Sequence, residues 1–184
     1  MVIRRARNEE FDAVRAFYHA VIDDMAHAQY RPGWEKDIYP APDYLQAAIA
    51  HGELFLGEEA GQTVAAMVLN TACNDSYGDA RWLTEAAPGE ALLIHTLCVR
   101  ADRTGRGLGR EMVRFAIEEA RRRGMKAMRL DVLKGNVPAE RLYPACGFRY
   151  VGTIPMFYED TGWTDYELYE LALKNTCAGS EDSL

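Results

Sequence analysis

Leu92-Leu93-Ile94-His95-Thr96-Leu97-Cys98-Val99 runs through Arg100–Arg103 into Thr104-Gly105-Arg106-Gly107-Leu108-Gly109. An apolar run, a glycine-rich turn and an amphipathic stretch follow one another, so the segment reads as strand, turn, helix. Glycines in such a turn let backbone N–H groups point inward with no Cβ in the way, and a helix N-terminus adds partial positive charge. The turn therefore suits a phosphate. It is not a P-loop, because GxxxxGK[ST] needs a lysine and none follows these glycines. Nor is it a dinucleotide fingerprint: completing GxGxxG would need glycine where Arg110 or Met112 stands. Taken alone, it is equally readable as a tight connection into a helix.

Working outward, Val2–Arg7 reads as a first strand and Glu9–Met25 as an amphipathic helix capped by Asn8. His27–Pro42 is an aromatic-rich loop, and Asp43 caps a short helix ending near His51-Gly52. Glu53–Glu58 and Gln62–Thr71 form a hairpin through Glu59-Ala60-Gly61. Cys73–Gly89 is a polar loop carrying Trp82; Ala91–Val99 is a strand; Gly107–Arg123 is a helix ended by Gly124. Ala127–Leu133 is a strand, Val137–Cys146 a helix, and Phe148–Thr153 and Tyr166–Leu173 are strands. The pattern is an α/β (α+β) chain with a largely antiparallel sheet at its start. Residues 1–174 read as one domain and 175–184 as a flexible polar tail.

The 184 residues, 48% hydrophobic, suffice for one ordinary core. Apolar runs such as Thr63–Leu69 fall far short of the ~20 residues of a membrane helix. No apolar stretch follows the basic N-terminus, so no secretory leader is expected. Cys73, Cys98, Cys146 and Cys177 lack CxxC or zinc-finger spacing, so reduced thiols, a cytoplasmic location and no metal are expected. A net charge of −7 argues against a nucleic-acid partner. Yet Arg100–Arg129 holds ten of the 21 basic residues and four of the 28 acidic ones, which suggests a bound anion there.

A second motif decides the reading. Asn136–Phe148 runs NVPAERLYPACGF. With the GRGLG turn it resembles the GNAT superfamily of N-acetyltransferases, whose turn follows Gln/Arg-x-x-Gly-x-Gly/Ala and whose helix element follows N-x-x-A-x-x-x-Y-x-x-x-GF. The resemblance implies a GNAT fold of about seven strands, splayed between 91–99 and 127–133 and flanked by helices. It implies acetyl-CoA as co-substrate, with turn amides on the pyrophosphate and pantetheine along the strand. The binding residues it implies are Leu97, Cys98, Val99, Arg103, Thr104, Gly105, Arg106, Gly107, Leu108, Gly109 and Asn136. Thr104 departs from the Gln/Arg of the pattern; Arg103 stands one residue earlier. Members of the family often dimerise, which leaves a homodimer open.

Acetyl transfer to an amine needs a neutral nitrogen and a proton for the leaving thiolate. Roughly one alkylamine in 2,500 is neutral at pH 7, a barrier term of about 4.6 kcal/mol unless a base assists. The resemblance gives Tyr143 the general-acid role. His95 is the candidate base, similar to a strand His of arylalkylamine N-acetyltransferases, and strand parity places it with Leu97 and Val99 and opposite Cys98. Tyr30, Trp34, Trp82 and Tyr158 are candidate acceptor contacts. Aromatics beside carboxylates such as Asp160 suit a cationic small-molecule amine or a peptide N-terminus. Aminoglycoside, polyamine, amino-acid and peptide acceptors stay open, as does a silent CoA-binding sensor on the same fold.

Overall fold

The structure is a computed structural model describing residues 1–26, 28 and 33–173. Tyr30, Cys177 and the expected tail at 175–184 lie outside the described residues. One sheet holds β1 (Val2–Arg5), β2 (Leu54–Glu59), β3 (Gln62–Asn70), β4 (Ala91–Val99), β5 (Ala127–Leu133), β6 (Arg149–Tyr158) and β7 (Gly162–Ala172). Their order is β1-β2-β3-β4-β5-β7-β6. Every neighbouring pair is antiparallel except β4 and β5. The mixed, mostly antiparallel α/β architecture is the expected one.

Four helices flank the sheet: α1 (Phe11–Met25), α2 (Pro42–Ala50), α3 (Leu108–Arg122) and α4 (Val137–Ala145). On one face Val14, Phe17 and Val21 of α1 and Leu45 and Ile49 of α2 pack on Leu54, Ala66 and Val68. On the other, Met112, Val113, Ala116 and Ala120 of α3, all fully buried, meet Met67, Leu92, Met128 and Leu130. Their spacing is the three- and four-residue step of an apolar helix stripe. A smaller cluster of Tyr77, Leu93, Met156, Tyr166 and Leu168 supports the segment before β4.

Two irregularities of β4 position the site. Its parallel pairing with β5 reaches only from Ala91–Leu93 to Ala127–Arg129, after which the strands part. That leaves a V-shaped opening, the splay that the family resemblance implies. The second is a bulge: Val68 pairs with His95 but Ala66 with Cys98, which sets one residue of β3, Met67, against two of β4, Thr96 and Leu97. Thr96 there takes a φ of 50°, a costly conformation for a β-branched residue. The buried Tyr18 hydroxyl holds it, 3.2 Å from the Thr96 carbonyl oxygen and 3.0 Å from its hydroxyl.

The bulge corrects the parity expectation. Directly paired residues share a side, so His95 and Cys98 face the same way as Val68 and Ala66. Leu97 and Val99 pack instead on the α3 face. One extra residue inverts the alternation, and apolar periodicity does not reveal it.

Smaller corrections concern element ends. Asn8 does not cap α1: Asn8–Glu10 form a 3-10 turn, and the Glu10 carboxylate accepts from the Arg7 N–H at 2.8 Å. Pro42 opens α2 after Ala41, while Asp43 accepts from the Tyr44 N–H. A short 3-10 turn at Asp75–Asp79 interrupts the expected loop. β6 and β7 extend into a hairpin closing at Tyr158 and Gly162. Pro155 lies within β6, which is the sheet edge, where proline is tolerated.

Candidate active site

The glycine-rich turn links a 3-10 turn at Ala101–Arg103 to α3. Gly105 and Gly107 hold φ of 76° and 83°, the left-handed region that side chains resist. Gly107 is the residue before α3, whose hydrogen-bond ladder opens with the Glu111 N–H on the Gly107 carbonyl at 3.0 Å. The amides of Leu108, Gly109 and Arg110 therefore precede the ladder and carry the positive end of the helix. They border a cleft of about 640 Å³. Leu97, Cys98 and Val99 form its strand wall; Arg103, Thr104, Gly105 and Pro138 also line it. An anionic head at the amides and an extended chain along the parted edge of β4 both fit this shape.

Side chains contribute less here than backbone. Thr104 turns its hydroxyl back to the Ala101 carbonyl at 2.8 Å. Arg106 faces Glu59 at 3.0 Å and lies outside the cleft wall, whereas Arg103 lines it and sits 3.8 Å from Glu59. Cys98 lines the cleft as a buried thiol, and burial pushes its pKa up, so it has no nucleophile's character.

A smaller chamber of about 90 Å³ adjoins the cleft. Trp34, Leu97, Asn136, Ala139 and Tyr143 line both. Tyr143 is 7% exposed and packs edge-on to Phe148, with ring centres 5.6 Å apart. Its carbonyl accepts from the N–H groups of Cys146 and Phe148, which anchors the end of α4. Burial raises the phenol's pKa and keeps it protonated. His95 also lines the chamber; burial lowers its pKa to about 4, against a smaller upward pull from the Ala72 carbonyl. Its Nε2 is shut from solvent and has no hydrogen-bond partner among the described residues.

Asp131 is the chamber residue that sequence reasoning missed. One of its oxygens accepts from the Tyr77 hydroxyl at 2.7 Å, and the Tyr158 hydroxyl lies 3.1 Å from both. Burial raises its pKa, while the two phenols pull it down. The available signal was a lone acid between Leu130 and Val132 in an apolar strand. Of the expected acceptor contacts, Trp34 lines both cavities and Tyr158 lines the chamber. Trp82 lines neither. It lies 4.4 Å from the Arg129 guanidinium and donates its indole N–H to the Tyr77 carbonyl at 3.0 Å, so it steadies the segment that carries Tyr77.

Comparison with known proteins settles the family. Residues 18–148 match the family model described as "Acetyltransferase (GNAT) family". The chain belongs to the GNAT acetyltransferase family. It is 32% identical over 105 residues to an L-methionine sulfoximine/L-methionine sulfone acetyltransferase of Pseudomonas paraeruginosa, covering 55% of this chain and 58% of that protein. It is 33% identical over 76 residues to a streptothricin acetyltransferase of Streptomyces lavendulae, 41% of this chain and 40% of that one. The chain thus matches less than two thirds of the length of these curated relatives. Among solved structures, a GNAT acetyltransferase from Streptococcus agalactiae superposes with a TM-score of 0.76 at 20% identity, over 94% of this chain and 95% of that one. The Salmonella typhimurium protein yncA, solved with its cofactor acetyl-CoA, superposes at 0.66 and 22% identity, over 98% of each chain. GNAT enzymes use acetyl-CoA as acyl donor, and the amide-lined cleft of this GNAT chain has the form such a molecule needs.

Proposed function

We propose that this chain transfers the acetyl group of acetyl-CoA to the nitrogen of a small amine. The observation that supports it best is the shared wall: Leu97, Asn136 and Tyr143 line both the amide-bordered cleft and the chamber. Acetyl-CoA supplies a thioester carbonyl already activated for acyl transfer. The amides at the start of α3 hold its diphosphate, and the free edge of β4 at Leu97–Val99 keeps its arm extended. Asp131 and His95 face the acceptor. Burial moves the acid's pKa up and the imidazole's down to about 4, and the chamber thus offers two candidate bases, of which His95 is proton-free at neutral pH. One of them takes the amine proton, directly or through water. The nitrogen lone pair then forms the C–N bond, the C–S bond breaks with its electrons on sulfur, Tyr143 gives its proton to that sulfur, and the acylated nitrogen sheds its remaining extra proton, which restores the phenol.

Free-thiol release from acetyl-CoA across a panel of amines tests the proposal. Tyr143→Phe is expected to lower kcat by roughly 10²–10⁴-fold while acetyl-CoA affinity stays within about twofold. Acetyl-CoA binding with silence across the panel would favour the alternative, a CoA-binding module without turnover. The side chain of Thr104, tied to Ala101, is the one feature pointing that way.

A further inference from the structure

The chamber holds two carboxylates, Asp131 and Asp160, and its described lining includes no lysine or arginine. The two lie at different depths. Asp131, on β5, is close enough for its charge to act on Tyr143. Asp160 sits in the turn between β6 and β7, within reach of the charge of Glu35. The backbone N–H groups of Asp160 and Thr161 donate to its carboxylate, but its Oδ1 is shut from solvent and has no hydrogen-bond partner among the described residues. A buried carboxylate oxygen without a donor is costly, and a cation is the ligand that relieves it. Aromatic rings line the same chamber. Trp34 to Tyr39 and Tyr39 to Tyr158 are 5.8 Å between centres, and Tyr158 to Tyr166 is 5.0 Å. Their faces attract an ammonium group.

The geometry points to an aliphatic diamine as the acceptor, its reacting nitrogen at Asp131 and its second, permanently protonated nitrogen at Asp160. This rests on the acetyltransferase reading above. Three considerations lead to it. The reacting nitrogen must shed its charge to attack, so a monoamine leaves Asp160 without a counter-ion at the moment of reaction. An α-amino acid would bring its own carboxylate among acids with no described cation to meet it. The chamber's 90 Å³ is also small beside the roughly 150 Å³ cavity that admits benzene, which favours a narrow methylene chain over an aryl ring.

The test uses the full chain and two readouts. Thiol release is measured with short α,ω-diaminoalkanes, monoamines of the same length, phenethylamine and α-amino acids including methionine sulfone. Calorimetry measures binding of the diamine and its matched monoamine in the presence of CoA, which cannot acetylate them. The best diamine is expected to exceed its monoamine at least tenfold in kcat/KM and in affinity. Asp160→Asn should raise the diamine KM and bring both ratios within about twofold, while Asp160→Glu, which keeps the charge, should preserve the preference. A monoamine, aryl amine or α-amino acid that matches the best diamine overturns the inference, as does a preference surviving Asp160→Asn in a protein that melts as the parent does. Tight diamine binding without any turnover would overturn the acceptor role together with the transferase reading and leave only a diamine-binding site. Turnover without diamine preference would keep the transferase reading and overturn this inference.

Discussion

The cleft and the chamber share a wall but are built by different means. The cleft is bordered by backbone: three free amides in the first turn of a helix, two glycines with positive φ and the parted edge of one strand. Most of it comes from two short stretches of chain. The chamber is made of side chains from distant places: Trp34 and Tyr39 after α1, His95 on β4, Asp131 on β5, Tyr158 and Asp160 at the far hairpin. Backbone recognition requires special φ angles, and those require glycine at fixed spacing. Side-chain recognition requires only that residues meet in space, and it leaves no local pattern.

A titration separates the two most strongly, because side chains titrate and amides do not. His95 has a folded pKa of about 4 against about 6.5 when unfolded. Between those values the unfolded chain holds more protons, so stability falls as pH drops below about 6.5 and the loss levels off below about 4. Up to about 3 kcal/mol is at stake. Asp131, raised by burial, has the opposite sign: the fold binds its proton more readily than the unfolded chain does, which favours the fold in acid. His95→Gln is expected to flatten the acid limb of a urea-midpoint profile. An unchanged limb would mean that His95 is solvated and that the chamber is not the sealed, side-chain-built site described above.

A backbone substitution should act on the other side. Gly107→Ala places a Cβ at φ 83°, a conformation costing roughly 1–2 kcal/mol for an ordinary residue. No atom of the described residues lies within 4 Å of that Cβ, so the effect is conformational and falls on the amides that follow. Acetyl-CoA affinity is expected to fall about tenfold, matching about 1.4 kcal/mol, with KM for the amine within twofold. Equal losses for both ligands would show that the two cavities act as one.

What the sequence disclosed follows the same division. The strand at 91–99 and the turn were legible because an apolar run and glycine spacing record backbone conformation, and the Asn136–Phe148 element because its spacing follows a family pattern. The sheet's opening followed from them. Three things were not legible. The bulge at Thr96 depends on a hydroxyl of Tyr18, far away in the chain, and it reverses which residues share a face with His95. Asp131 looked like ordinary strand alternation until Tyr77 and Tyr158 were brought against it. Trp82 had the composition of a ligand contact, yet Arg129 and Tyr77 occupy it. Each is a tertiary meeting that no window of sequence contains.

The smallest effect concerns the chamber wall. Asp37 holds the segment bearing Trp34 and Tyr39 against α1, accepting two hydrogen bonds from Arg15 at 2.8 and 2.6 Å and lying 2.9 Å from the His19 ring. Arg15 first, then His19, hold its carboxyl well below the usual range, so it stays charged across the neutral region. Its φ is 62°, a conformation asparagine also tolerates. Asp37→Asn thus removes the charge without a new backbone demand. The pairing is exposed, so roughly a two- to threefold rise in KM for the amine is expected, about what a surface ion pair supports. Acetyl-CoA affinity should move less, because Tyr39 lines only the chamber. Trp34 lines both cavities, so a larger shift for acetyl-CoA than for the amine would show that the wall moves through Trp34. In that case the side-chain-built site would govern the backbone-built one, and their separation would hold for construction but not for binding.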